Sequence, residues 1–327
     1  GIRDSQKLTP AEVLSHCPTL NEEQLSGGFM YFDARVDDAR LTLALVRTAA
    51  FHGATVVNHA QVIATTRGGH GKVNGVRILA DEHELAVKAR VVIMATGVWL
   101  RDWDGQKKGA SSALQIRPAK GVHVAIPWLK IRNDCTVTIP VAGRKRRATI
   151  TRWGNVSYLG TTDEDYDGDL DDVCCTREEL DFLLDGANSA LKTQLTAQDV
   201  VGSIAGCRPL IGSPGGKTVE LKRNHEINVA PDGLITIVGG KLTTSRHMAE
   251  QTVDTAAKLL GRKRACSTKN AFLLGAAGYD PQAILASGGL SAHLGERYGA
   301  EAHFVSDLIH ANPALDTPII AGLPYTE

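Results

Sequence analysis

The stretch Ile237 to His247, IVGGKLTTSRH, changes within two residues from a β-branched run to paired glycines, a lysine and two threonines. A strand that stops at Gly239-Gly240 and restarts as a helix gathers bare backbone N–H groups and a cation at one point, which suits an anion or an electron-rich ring. A nucleoside triphosphate cradle is excluded: it needs glycine where Ile235 stands and serine or threonine where Leu242 stands. The second candidate, IGSPGGKT, has Gly216-Lys217-Thr218, but Ile211 occupies the place of its first glycine.

Working outward, Leu234 to Gly261 reads as strand, Gly-Gly turn and helix with a glycine stop. Upstream, VVGSIAGCRPLIG is apolar except for Arg208. Two readings of that arginine stay open: a buried structural ion pair, or a planar fork for a carboxylate or phosphate. Thr176-Arg-Glu-Glu179 is a capping box that opens a helix. Before it, IRPAKGVHVAIP, CTVTIPV, ATITRWG and VSYLGTT read as successive strands. The run Arg144 to Arg147 is a solvated basic turn, with contact to anionic lipid headgroups as the sharper alternative.

Two motifs mislead. Asp163-Glu-Asp165-Tyr-Asp167-Gly168 matches the first half of an EF-hand loop, but the twelfth position is Cys174 and a strand precedes it, so no metal site is expected. GGHGKVNG has Asn74 in place of the last glycine of a dinucleotide fingerprint and is followed by a strand, so it reads as a hairpin loop. Nearer the start, Asp37 to His52 reads as a helix feeding a strand at TVVNHA (55–60). QVIATTR, VRILA and LAVKARVVIMATG then follow as β-rich runs.

Composition bounds the rest. The 327 residues suggest roughly two domains. Lys plus Arg and Asp plus Glu are 36 each, so no net field favours nucleic acid. Six cysteines without CxxC spacing fit free thiols in a reducing compartment. No apolar run approaches the ~18 residues of a membrane span and no leader pattern opens at Gly1. The expectation is a cytoplasmic protein that is soluble or held peripherally at the membrane.

YFDARVDDARL, VVIMATGVW, IRPAKGVHVAIP, YLGTTDEDYDGD, IAGCRPLIG and VGGKLTTSR stand in that order, and the order resembles the FAD-dependent glycerol-3-phosphate dehydrogenases. The resemblance implies an α/β fold: a glutathione-reductase-type FAD-binding domain (1–105 and 206–262), an antiparallel substrate-binding sheet domain (106–205) and the start of a C-terminal helical domain (263–327). The family's opening strand, GxGxxG and helix have no counterpart here, and the helical domain stops at Tyr325-Thr326-Glu327. The expectation is a fragment lacking both ends of the intact enzyme, with half of the cofactor site upstream of Gly1.

The resemblance also implies roles. Hydride would pass from C2 of sn-glycerol 3-phosphate to FAD, and electrons onward to a quinone or another acceptor. Arg208 matches the arginine of AGxRPL and would hold phosphate or a substrate oxygen. Lys241 would stabilise charge on the reduced flavin, and His123, in KGxH, would move the hydroxyl proton. Lys120, in the same segment, is given no chemistry. Ala95, Thr96, Gly97, Gly239, Gly240, Leu242, Thr243 and Thr244 would line the flavin cofactor, and Val62 would offer backbone groups to adenine. A homodimer is left open. Two other readings stand beside this one: an amino-acid or amine oxidase of the same fold, and a non-catalytic fragment unable to hold FAD.

Overall fold

In the computed structural model, residues 4–103, 116–140, 147–212, 224–320 and 325–326 are described. The Gly216-Lys217-Thr218 motif and most of the 144–147 basic run lie outside them. The chain forms two compact units, one of Gly1–Asp33, Val62–Leu79 and Glu84–Arg264, the other of Ala34–Gln61, Ala80–His83 and Ala265–Glu327.

In chain order the elements begin with β1 (Gln6–Leu8), α1 (Pro10–His16), β2 (Gly28–Met30), α2 (Asp38–Phe51), β3 (Ala60–Arg67), β4 (Val73–Ala80), β5 (His83–Lys88) and β6 (Ile93–Met94). There follow β7 (Ile116–Pro127), α3 (Trp128–Ile131), β8 (Val137–Pro140), β9 (Arg147–Trp153), β10 (Val156–Gly160), β11 (Glu164–Asp165), α4 (Arg177–Asn188) and β12 (Gly202–Ile211). The chain ends with β13 (His225–Val229), β14 (Ile235–Gly239), α5 (Ser245–Leu259), α6 (Pro281–Ser287), α7 (Gly289–Tyr298) and α8 (Ala302–Ala311).

The antiparallel sheet is ordered β11-β7-β10-β9-β8, with β12 paired along β7 from Gly202↔Ala125 to Ile211↔Ile116. Side chains alternate across it. One face carries Val122, Val124, Ile126, Ile150 and Leu159, all 0–2% exposed, which pack in one core with Leu183, Leu184 and Ala187 of α4. Each such side chain contributes about 2 kcal/mol on burial. The expected capping box fixes α4: the Thr176 N–H donates to Glu179 Oε2 at 2.9 Å, and the Glu179 N–H to Thr176 Oγ1 at 3.3 Å.

A second sheet, β13-β14-β6, joins β14 to β6 in parallel through Ile235↔Ile93 and Thr236↔Met94. The run LAVKARVVIMATG is therefore two strands: β5 completes the β3-β4-β5 meander, and β6 pairs elsewhere. The strand expected at TVVNHA is not formed. Residues 54–59 carry no strand, and Val56 and Val57 are 48% and 63% exposed, since none of the described strands ladders with them.

The second unit is tied by α2. Its Arg47 holds Glu301 through two bonds of 2.8 and 3.0 Å, and its Arg40 stacks over Tyr298 at 4.5 Å. The EF-hand-like segment is not a calcium loop. Glu164 and Asp165 form β11 against β7, and Asp165 is paired to Arg117.

Candidate active site

The carboxyl ends of parallel strands gather ligands in open α/β sheets, because loops and helix N-termini converge there. Here β6 runs into Ala95-Thr96-Gly97 and its parallel neighbour β14 into Gly239-Gly240-Lys241. Gly239 and Gly240 sit at φ 76° and 79°, a left-handed pair that few other residues adopt. A Cβ would also strike the Asn224 carbonyl oxygen at 2.7 Å from the first and Met248 Sδ at 2.5 Å from the second.

The turn then tightens into a 3₁₀ segment, Leu242–Thr244, before α5 begins. The Lys241 N–H donates to Thr244 Oγ1 at 3.3 Å, and that hydroxyl donates to the Lys241 carbonyl at 3.0 Å. The turn is thus closed on itself, and Lys241, Leu242, Thr243 and Thr244 are exposed. Opposite, Gly97 has φ 57° and open space where a Cβ would be. Val62 is not part of this edge: it lies in β3, in the separate β3-β4-β5 sheet.

His123 and Arg208 come together on the face of the antiparallel sheet opposite the α4 core. Register aligns Arg208 with Ala119, Gly206 with Gly121 and His123 with Gly160, so these residues share that face. Glycines make the room. A Cβ on Gly160 would stand 2.0 Å from His123 Cδ2, and one on Gly121 2.5 Å from the Arg208 guanidinium.

Arg208 Nη2 donates to Thr161 Oγ1 at 3.1 Å and Nη1 to the Thr162 carbonyl at 3.4 Å, while Asp163 Oδ1 lies 3.5 Å from Nη1. Its side chain is still 40% exposed. Burial, and then the charge of Arg208, push the His123 imidazole below its ordinary value, so it is held neutral.

Lys120 is on the other face and is spent on structure. Its ammonium is 2.8 Å from Glu179 and donates to the Cys174 carbonyl at 2.9 Å, with both side chains of the pair nearly buried. Burial opposes its charge, but the hydrogen bond and charge of Glu179 outweigh that and raise its pKa.

The strand ends and the sheet face adjoin through β12. Its last residue, Ile211, reaches to 2.9 Å from where a Gly239 Cβ would lie, three positions after Arg208. A cavity of about 450 Å³ is lined by Gly97, Trp99, Asp171, Gly206, Cys207 and neighbours. It opens on the Cys207 face of β12, not the Arg208 face. Thr161, Thr162 and Asp163 were not singled out from the sequence as partners of Arg208; the acidic segment that starts at Asp163 reads there only as a turn of solvated carboxylates.

Positive-φ glycines at two parallel strand ends, an exposed helix lead-in and a lysine thus stand near the face that carries Arg208 and His123. The chain belongs to the FAD-dependent oxidoreductase family, whose model matches residues 1–254. It is 38% identical over 331 residues to a glycerol-3-phosphate dehydrogenase of Mycobacterium leprae, an alignment covering 98% of this chain and 56% of the relative. Among solved structures it is similar to the glycerol-3-phosphate dehydrogenase of Bacillus halodurans complexed with FAD. There the TM-score is 0.81 and the identity 28%, over 93% of this chain and 62% of that one. A glycine oxidase from Bacillus cereus shares the fold at TM-score 0.57 and 20% identity, over 80% of this chain and 65% of that one. The chain thus spans little more than half the length of the Mycobacterium leprae relative.

The residues present fit the flavin cofactor of the family. The open space at Gly97 admits close backbone approach, and the Gly239-Gly240 pair removes side chains from the turn that leads into α5.

Proposed function

We propose that the protein oxidises sn-glycerol 3-phosphate to dihydroxyacetone phosphate and passes the electrons to a quinone or another acceptor. The observation that carries this reading is the pairing of Arg208 and a neutral His123 on one glycine-cleared face. The names of the similar proteins supply the substrate.

FAD, when bound, supplies the two-electron acceptor for the C2 hydrogen. Ala95, Thr96 and Gly97, with Gly239, Gly240 and the Leu242–Thr244 turn, would hold it. The guanidinium of Arg208 pairs with the substrate phosphate, or with a substrate oxygen, through its planar fork. His123 Nδ1 or Nε2 accepts the proton of the C2 hydroxyl, which a neutral imidazole can do near pH 7. Lys241 supplies positive charge at the turn, where negative charge accumulates during the reaction; such contacts contribute about 3 kcal/mol to lowering a barrier.

The six free thiols fit a reducing compartment such as the cytoplasm. Among the described residues no helix is long and apolar enough to cross a membrane. Anaerobic mixing of the full-length, FAD-loaded protein with substrate tests the proposal. Bleaching of the flavin by glycerol 3-phosphate and not by glycine is the expected result, and the reverse would assign the site to an amino-acid oxidase.

A further inference from the structure

Away from the oxidation site, two segments of the first unit bring an imidazole, a carboxylate and a thiol together. His16 ends α1, while Asp134 and Cys135 follow α3. The Asp134 N–H donates to the His16 carbonyl at 3.0 Å, which locks the two backbones side by side. His16 Nδ1 lies 2.9 and 3.0 Å from the two Asp134 oxygens, and one ligand atom from each of His16, Asp134 and Cys135 falls within 4.8 Å of the others. Among the described residues they are the only such group of three.

We propose that His16, Asp134 and Cys135 form a binding site for one thiophilic divalent cation of the zinc type. A tetrahedral zinc ion with bonds of about 2.0–2.3 Å sets its ligands about 3.3–3.8 Å apart, so side-chain shifts of up to about 1 Å, opening the His16–Asp134 pair and drawing Cys135 in, let these three groups close on it. Nitrogen, oxygen and sulfur together select zinc or cobalt over calcium or magnesium, which take oxygen alone. Three protein ligands leave the fourth position to water.

The loop that presents Cys135 is held from beneath. Asn133 is fully buried; its Nδ2 donates to the Cys135 carbonyl at 2.8 Å, and its Oδ1 accepts from Ser157 Oγ at 2.6 Å. Trp128 Nε1 donates to the Asn133 carbonyl at 2.7 Å. Ligands on such a braced loop lose little freedom when a cation arrives. On binding, the Cys135 sulfur gives its proton to solvent and the cation takes that place. The cation would staple α1 to the end of the antiparallel sheet.

The test is a cobalt titration of the full chain, stripped with chelator and kept reduced by a thiol-free reductant. The expected result is one equivalent of Co²⁺ with visible bands of tetrahedral cobalt and a near-ultraviolet sulfur-to-cobalt charge-transfer band, both displaced by Zn²⁺. Cys135→Ser should abolish the charge-transfer band, and His16→Ala should weaken binding at least about tenfold. Cys266→Ser, at an exposed thiol elsewhere, should leave the spectrum unchanged. Circular dichroism checks that each variant is folded. Zinc should also raise the melting temperature of the parent chain but not of the folded Cys135→Ser variant. A cobalt spectrum without sulfur ligation, one retained in Cys135→Ser, or no binding at micromolar Co²⁺ would overturn the proposal.

Discussion

Lys120 and Arg208 are cations on neighbouring strands, one register step apart, and the sheet sends them to opposite faces. Lys120 points into the α4 core, where Glu179 meets it at 2.8 Å and its side chain is 8% exposed. Arg208 points outward, its nearest carboxylate is 3.5 Å away, and 40% of its side chain is open. A buried charge with a close partner is already satisfied, whereas a half-open guanidinium with long contacts keeps donors for an incoming anion. The parity of the strand thus sets one cation in a buried pair and leaves the other half-open, where the proposed function places the substrate.

The comparison breaks most sharply by substituting each cation. Arg208→Met should lower kcat/KM for glycerol 3-phosphate by roughly 100–1,000-fold with little change in melting temperature. Lys120→Met should do the opposite: it leaves Glu179 buried without its partner, costing about 3 kcal/mol of stability, while the enzyme that stays folded keeps its kinetic constants. Steady-state kinetics and denaturant melts on the same preparations separate the two outcomes.

Next in size are changes to the face itself. Gly160→Ala would drive a methyl group to 2.0 Å from His123 Cδ2, so the imidazole must turn away. Loss of its alignment should cost about 100-fold in kcat. Gly202→Ala on the same strand system, with open space at its Cβ, should be nearly silent.

The pH profile probes His123 without substitution. Its pKa is lowered from 6.5 by burial and by Arg208, so the acid limb of kcat/KM should fall below pH 6.5. The same shift acts on stability. Between that lowered value and 6.5 the unfolded chain binds the proton and the folded chain does not, so this group makes the fold lose stability as pH falls through that window. Arg208→Met removes one of the two causes and should move the acid limb upward, toward 6.5. The smallest effect is expected at Thr161→Val, which deletes one 3.1 Å bond to Arg208. That is worth about 1 kcal/mol, or roughly fivefold in KM.

What the sequence disclosed was local. The strand, Gly-Gly turn and α5 could be read because left-handed glycines and a helix start leave their mark within a few residues, and the Thr176–Glu179 capping box for the same reason. Pairing between distant segments left no such mark. LAVKARVVIMATG looked like one strand because both halves are β-branched, yet its halves serve different sheets. TVVNHA has strand composition without a strand beside it among the described residues, and composition alone does not make a ladder. Lys120 and Arg208 could not be told apart by type, since their faces depend on how β7 registers with β12. The acidic run at 163–168 could be read as no calcium loop, but its arginine partners, Arg117 beside Asp165 and Arg208 beside Asp163, are distant in sequence and left no local mark.

The central claim is that the Arg208 face, and not the Lys120 face, receives the substrate. Rapid-mixing measurement of flavin reduction by glycerol 3-phosphate, on the full-length FAD-loaded protein and its two variants, tests it most directly. Reduction should be nearly lost in Arg208→Met and retained in Lys120→Met assayed well below its melting temperature. Parent-like reduction in Arg208→Met, at ordinary substrate concentration, would contradict the account.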